Sequence, residues 1–192
     1  MALRLPLRPT YNSPVILTFA LIACAVMVLN GMTGGWVTHG VFTSFPGFNF
    51  KDPLDYVRLV SHAIGHRDWA HLVANFSVIL LIGPILEEKY GSNRLIKMML
   101  VTALVTGILN AALFSTGLLG ASGLAFMMIL LASFTNHKEG ELPLTFVLVV
   151  VLFLSKEVVQ AFAQDDISQF AHIIGGLFGS LFGFLRGTKG GK

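Results

Sequence analysis

The sequence predicts an all-α, polytopic membrane protein: a six-transmembrane-helix bundle with a short fourth helix at its centre. Three observations predict it. Of the 192 residues, 54% are hydrophobic and only 12% are charged, against roughly 25% charged in a soluble globular chain. The mean hydropathy is +0.75. The apolar residues also gather into six blocks separated by polar or charged connections. A soluble chain of this composition would expose too much apolar surface to stay dispersed. The length suits one compact bundle. Residues 1–192 therefore read as a single membrane-embedded domain, with a short amino-terminal segment at 1–12 and a carboxy-terminal tail at 186–192.

Taken in order, the blocks are Pro14–Met32, Trp69–Leu86, Leu95–Phe114, Ser122–Phe134, Leu142–Ala163 and Phe170–Leu185. A full span takes about 20 apolar residues. Blocks one, two, three and five meet or approach that length, and the sixth is slightly short. The fourth is clearly short, with about 20 Å of helix. A helix too short to cross alone must be shielded by its neighbours, which places it centrally. Its first residue, Ser122, then starts below the membrane surface, on the floor of a depression.

Basic residues orient the bundle. Arg4, Arg8, Lys89, Arg94, Lys97, Lys138, Arg186, Lys189 and Lys192 fall on one side, and Lys51, Arg58 and Arg67 on the other. Lys156 stays within a span, and Asp165 and Asp166 lie in the fifth connection. Both termini are expected in the cytoplasm. A pI of 9.2 with basic residues scattered between apolar blocks makes no basic stripe, which excludes nucleic acid as a partner. Cys24 is the only cysteine, so no intrachain disulfide forms. The first apolar run is too long, and lacks a small-residue cleavage site, for a cleavable signal peptide.

With this topology, spans two, four and six run in the same direction. His71, Ser122 and His172 each fall within the first few residues of one of them. Three polar groups distant in sequence thus arrive at one depth, where polar groups are costly unless they serve something. A serine hydroxyl becomes a nucleophile when a base takes its proton, and a neutral imidazole can do so near neutral pH. Gly120 and Gly123 beside Ser122 permit a tight turn and close approach of a substrate carbonyl. Gly175, Gly179 and Gly183 follow His172 at steps of four, a smooth stripe for close packing on span four. Alone, Gly120-Ala121-Ser122-Gly123 also fits a turn with a serine cap.

His71 and Asn75 share one helical face and can both donate to a developing oxyanion; the alternative is an interhelical polar clamp. Thr102, Thr106 and Asn110 make a second ladder, with His62 at its mouth. It serves either as a path for water or as threonines bonding back to their own helix. Glu87, in Gly83-x-x-x-Glu87-x-x-x-Gly91, reads as structural, binding nearby backbone or Arg94. Lys156 and Glu157 snorkel, pair or line a gate. The loop Thr33–Asp68, with Trp36, Phe42, Phe45, Phe48 and Phe50, reads as an interfacial brace.

These residues also carry a resemblance. His62-Ala-Ile-Gly-His66-Arg-Asp-Trp-Ala-His71-Leu-Val-Ala-Asn75, Gly83-Pro-Ile-Leu-Glu87-Glu-Lys-Tyr-Gly91, Gly120-Ala-Ser122-Gly123 and Ala171-His172-Ile-Ile-Gly175-Gly-Leu-Phe-Gly179 stand in order over about residues 56–185. In this the chain resembles the rhomboid intramembrane serine proteases of the compact six-span bacterial type. The resemblance implies a Ser122–His172 catalytic dyad without an acid. It implies oxyanion support from His71, Asn75 and the Ser122 N–H, and no metal or organic cofactor. It further implies residence in a bacterial inner membrane, and transmembrane helices of other proteins as substrates, cut near their outer ends. Phe126 stands where many members have a tyrosine packed on the histidine, and Val57-Arg58 where Trp-Arg is common. The competing reading is a catalytically inactive relative that binds or escorts membrane helices. A transporter lacks its inverted repeat, and a metalloprotease built on His62, His66 and His71 lacks a His-Glu-x-x-His helix.

Overall fold

The computed structural model describes residues 10–135, 141–161 and 166–187. Among them the chain is all-α, with helices α1 (Pro14–Met32), α2 (Trp36–Val41), α3 (Pro53–Ser61), α4 (Trp69–Tyr90), α5 (Ser92–Leu113), α6 (Ser122–Ala132), α7 (Leu144–Ala161) and α8 (Asp166–Gly187). Each of the six apolar blocks falls on one of α1, α4, α5, α6, α7 and α8. By length and composition, α1, α4 and α5 can each cross a membrane, while Ser122–Ala132 and Phe170–Leu185 are shorter apolar helices.

Two helices arise inside the loop that was expected only to brace. Asp52 caps α3 by accepting from the Leu54 N–H at 2.9 Å, and Pro53 supplies a first-turn residue without a donor to satisfy. Arg58 ties α3 back to the loop, donating from Nε to the Gly40 carbonyl at 3.0 Å and from Nη1 to Asp55 at 2.7 Å. Ser61 Oγ reaches the Val41 carbonyl at 2.8 Å. The loop is thus anchored through Arg58 while the neighbouring Val57 faces outward.

α4 outruns its apolar block by a full turn, because Glu87, Glu88 and Lys89 continue the helix until Gly91 turns the chain at φ 79. Glu87 is buried there, and its carboxylate caps a different helix. Its two oxygens accept from the Val15 and Ile16 N–H groups at 3.0 and 3.1 Å and from Ser92 Oγ at 2.7 Å. Ser13, at the N-cap of α1, makes no side-chain cap of its own, so Glu87 satisfies amides that the helix start leaves open. Of the two expected partners, backbone is the one it binds. Gly83 completes this junction, since a Cβ there would lie 2.6 Å from Ile16 Cδ1.

The short α6 occupies the centre, touching α4, α5, α7 and α8. It is about 16 Å long, and most of its side chains are buried. Its tightest neighbour is α8. A Cβ on Gly175 would collide with the Gly123 carbonyl, one on Gly179 with the Met127 carbonyl, and one on Gly183 with the Phe134 ring. The two backbones therefore meet with no side chain between them. α7 packs only on α6 and α8 among the described residues and leaves α4 untouched. The side chains of Lys156 and Glu157, with residues 1–9, 136–140 (Lys138 among them), 162–165 and 188–192, lie outside the described part.

Glu87→Ala should strand the α1 amides and cost about 3 kcal/mol of stability, the scale of hydrogen bonds to a charged group. Glu87→Gln, keeping one acceptor, should lose less. Reversible unfolding in mixed micelles measures both.

Candidate active site

Gly120, Ala121 and Ser122 turn the chain into α6, and each of the first two backbone amides is held. The Gly120 N–H donates to the His62 carbonyl at 2.9 Å, and the Ala121 N–H donates to His66 Nε2 at 3.4 Å. Further out, Ser44 and Leu118 exchange a pair of backbone hydrogen bonds at 2.9 and 2.8 Å. The first helical bond of α6 runs from the Ala125 N–H to the Ala121 carbonyl at 2.9 Å. The N–H groups of Ser122, Gly123 and Leu124 thus precede the hydrogen-bond ladder and point out of the helix start.

Gly120 is required twice over. Its φ is 117, and a Cβ would sit 2.6 Å from His71 Cε1, 2.8 Å from His71 Nε2 and 3.6 Å from Asn75 Nδ2. The shared face of α4 therefore delivers both expected donors to a spot two residues from Ser122. His71 Nδ1 and Asn75 Nδ2 are buried and have no hydrogen-bond partner among the described residues. Buried polar atoms nearly always find one; among the described residues Thr38 Oγ1, His62 Nδ1 and Asn110 Oδ1 are the other exceptions. Asp68 fixes the start of α4, accepting from the His71 N–H at 2.7 Å. That bond, then Arg67, holds its carboxyl below the ordinary range.

His172 is buried on α8, and its ring lies 4.2 Å from that of Phe126 at 36°. Phe126 is one turn after Ser122 on the same face of α6. A Cβ on Gly123 would come within 3.0 Å of the Ala171 carbonyl. The residue after Ser122 thus abuts the residue before His172. The contact that was lost with a tyrosine hydroxyl leaves the stacking in place.

The expected water ladder divides. Thr102 and Thr106 donate back into their own helix, to the Met98 and Thr102 carbonyls at 2.8 and 2.7 Å. Their lone pairs remain, and with His62 they line a cavity that also touches Gly120, Gly123 and Ala171. It offers about 10 Å³ to the centre of a water molecule, roughly the minimum for one water. His62 donates from Nε2 to the Ala103 carbonyl at 3.0 Å, which leaves its buried Nδ1 without a partner among the described residues. Asn110 is not in this lining. Its Nδ2 binds the Ser44 and Thr116 carbonyls, both at 3.3 Å, so it braces the segment leading to Ser122.

His66 positions the chain before Ser122, a placement that the sequence reading did not assign it. Its Nδ1 faces the Ile64 carbonyl at 3.0 Å and so carries the proton, leaving Nε2 to accept from Ala121. It stands in the His62–Asn75 stretch that carries the resemblance, but no role was read for it there. Its neutral form is enforced: burial, with the charge of the adjacent His71, draws the imidazole down to about 4. Burial draws His62 to about 4 as well.

Both histidines are near 6.5 in an unfolded chain, so that chain binds more protons between pH 6.5 and about 4. Stability should be full above that window and fall as pH drops through it. His66→Gln should flatten the decline, which thermal unfolding at stepped pH will show.

The family model described as Rhomboid domain matches residues 53–189, well over half of the chain. Among curated proteins the chain is similar to "Rhomboid protease GlpG" of Haemophilus influenzae (strain ATCC 51907 / DSM 11121 / KW20 / Rd). The two are 22% identical over 144 residues, a stretch covering 73% of this chain and 74% of that protein. Together with its apolar helices, this makes the chain an integral membrane protein, and it belongs to the rhomboid family.

Proposed function

We propose that the chain is an intramembrane serine endopeptidase that cuts transmembrane helices of other proteins through Ser122 and His172. The observation that carries this reading is the convergence at Gly120. Asn75 Nδ2, buried and without a partner among the described residues, and the Nε2 edge of His71 meet there beside a helix start whose first residue is a serine, and α8 packs its histidine onto the same helix. The relative named a rhomboid protease supports it.

On this reading His172 takes the Ser122 proton as Oγ attacks the scissile carbonyl carbon. The carbonyl oxygen becomes an oxyanion held by the Ser122 N–H, Asn75 Nδ2 and the His71 ring N–H nearer Gly120. Collapse breaks the C–N bond, and the leaving amine takes the proton from His172. The acyl group is then an ester on Ser122. A water, drawn from the cavity beside His62, Thr102 and Thr106, gives its proton to His172 and attacks the ester. The proton returns to Ser122 as the acid product leaves. The absence of contact between α4 and α7 among the described residues offers the side through which a helix would approach. The compact family form favours a bacterial inner membrane, the basic residues favour cytoplasmic termini, and reporter fusions at each end test the orientation.

In vesicles with a helical membrane substrate, Ser122→Ala should abolish cleavage. His71→Ala and Asn75→Ala should each lower kcat by about 10²–10³ with KM little changed, the pattern of a lost oxyanion donor. A fluorophosphonate should label Ser122. Cleavage that survives Ser122→Ala would sink the assignment and leave a binding or escort protein.

A further inference from the structure

On the far side of α5 from the site, a cleft of about 360 Å³ opens between the loop and the helix. One wall is Phe48, Phe50 and Tyr56; the other is Ile108, Ala111 and Ala112 in the last two turns of α5. The loop wall is a packed aromatic cluster, with Phe48 5.0 Å from Phe50 and 4.9 Å from Tyr56, both edge-on. The Tyr56 hydroxyl turns away from the cleft's purpose by donating to the Phe50 carbonyl at 3.3 Å. The helix wall is cut back to alanines, which is what leaves the room. Its mouth is open, with Phe50 79% and Ile108 46% exposed.

An open apolar cleft of this size in water would be an association site. Here it lies near the end of a membrane-crossing helix, at the depth where acyl chains meet headgroups. The surrounding medium therefore decides the occupant. We propose that the cleft holds one acyl chain of a phospholipid from the leaflet on the loop side, with the phosphate on Lys51. Lys51 directly follows Phe50 and makes no ion pair among the described residues. The nearby carboxylates are already engaged: Asp55 by Arg58 and the Asn49 N–H, Asp52 by the Leu54 N–H and Arg58. Lys51 is thus the cation left for an anionic headgroup at the rim. The assignment is independent of catalysis.

The test uses the full chain in vesicles of phosphatidylethanolamine and phosphatidylglycerol, doped with phosphatidylglycerol carrying a diazirine in its acyl chain. After illumination, adducts should concentrate on Phe50, Ile108, Ala111 and Ala112. Ala112→Trp, which fills the cleft from an exposed position, should remove most of them while thermal unfolding matches the parent. Lys51→Gln should lower them about fivefold, the equivalent of about 1 kcal/mol for one lysine at an anionic surface. Native mass spectrometry should show one phospholipid retained through detergent exchange by the parent chain, a readout that needs no variant. Labelling spread evenly over lipid-facing positions such as Leu81 and Leu104, or labelling undiminished in Ala112→Trp, overturns the site. A chain that strips free of lipid overturns it equally. Loss of adducts on adding a helical substrate peptide would make the cleft a substrate exosite and overturn the lipid assignment. Labelling unchanged by Lys51→Gln overturns the headgroup contact.

Discussion

α6 and α8 meet backbone to backbone, and the candidate site depends on that contact. In hydrocarbon no hydrophobic force drives helices together, so close packing of small residues does it. Gly175 against the Gly123 carbonyl and Gly179 against the Met127 carbonyl bring the helices nearer than any side chain would permit. The same approach puts Ala171 against Gly123 and the His172 ring on Phe126. A change that pushed α8 outward by one methyl group would therefore move the imidazole away from the start of α6. Fold and site share one constraint.

The other flank of the site is held by elements far from α8. His62 and His66 secure two consecutive amides before Ser122, Ser44 pairs with Leu118, and Asn110 binds both segments. Those amides are consequently unavailable to a substrate, which leaves the Ser122 N–H as the first donor able to face one. On the proposed reading, Asn75 Nδ2 and the His71 ring serve the same substrate oxygen. Asn75 Nδ2 stays open beside Gly120, where His71 Nε2 also lies, while Thr38 Oγ1, His62 Nδ1 and Asn110 Oδ1 are open elsewhere among the described residues. Leaving a buried donor open costs about 1–3 kcal/mol, and the interlocked loops around Gly120 are what can bear it.

Much of this was legible from spacing. Period-four glycines after His172, the i, i+4 pair His71 and Asn75, and the short fourth block each translate directly into helix geometry. What escaped was non-local. No helical period links Glu87 to the α1 amides, since the two are 71 and 72 residues apart. Nothing in a ladder of Thr102, Thr106 and Asn110 says that Asn110 would turn to the loop, because its partners lie in segments without periodicity. The helices α2 and α3 were hidden for a related reason. Their aromatic and charged residues read as an interfacial loop, and only the Asp52-Pro53 pair marked a helix start.

Water is scarce at this depth, and that has a consequence for the proposed chemistry. Each hydrolysis consumes one water, and the cavity beside Gly120 has room for about one. Its polar lining residues, His62, Thr102 and Thr106, can orient a single molecule, whereas a chain of several would not fit. Acylation needs no water and deacylation needs one, so removing these polar groups should slow only the second half of the reaction. On this reading His62 fills a role that a charged ring could not. A protonated ring would have no lone pair on Nδ1, and burial keeps it neutral down to about 4. The same burial that makes His62 a poor cation makes it a competent acceptor for the one water the site can hold.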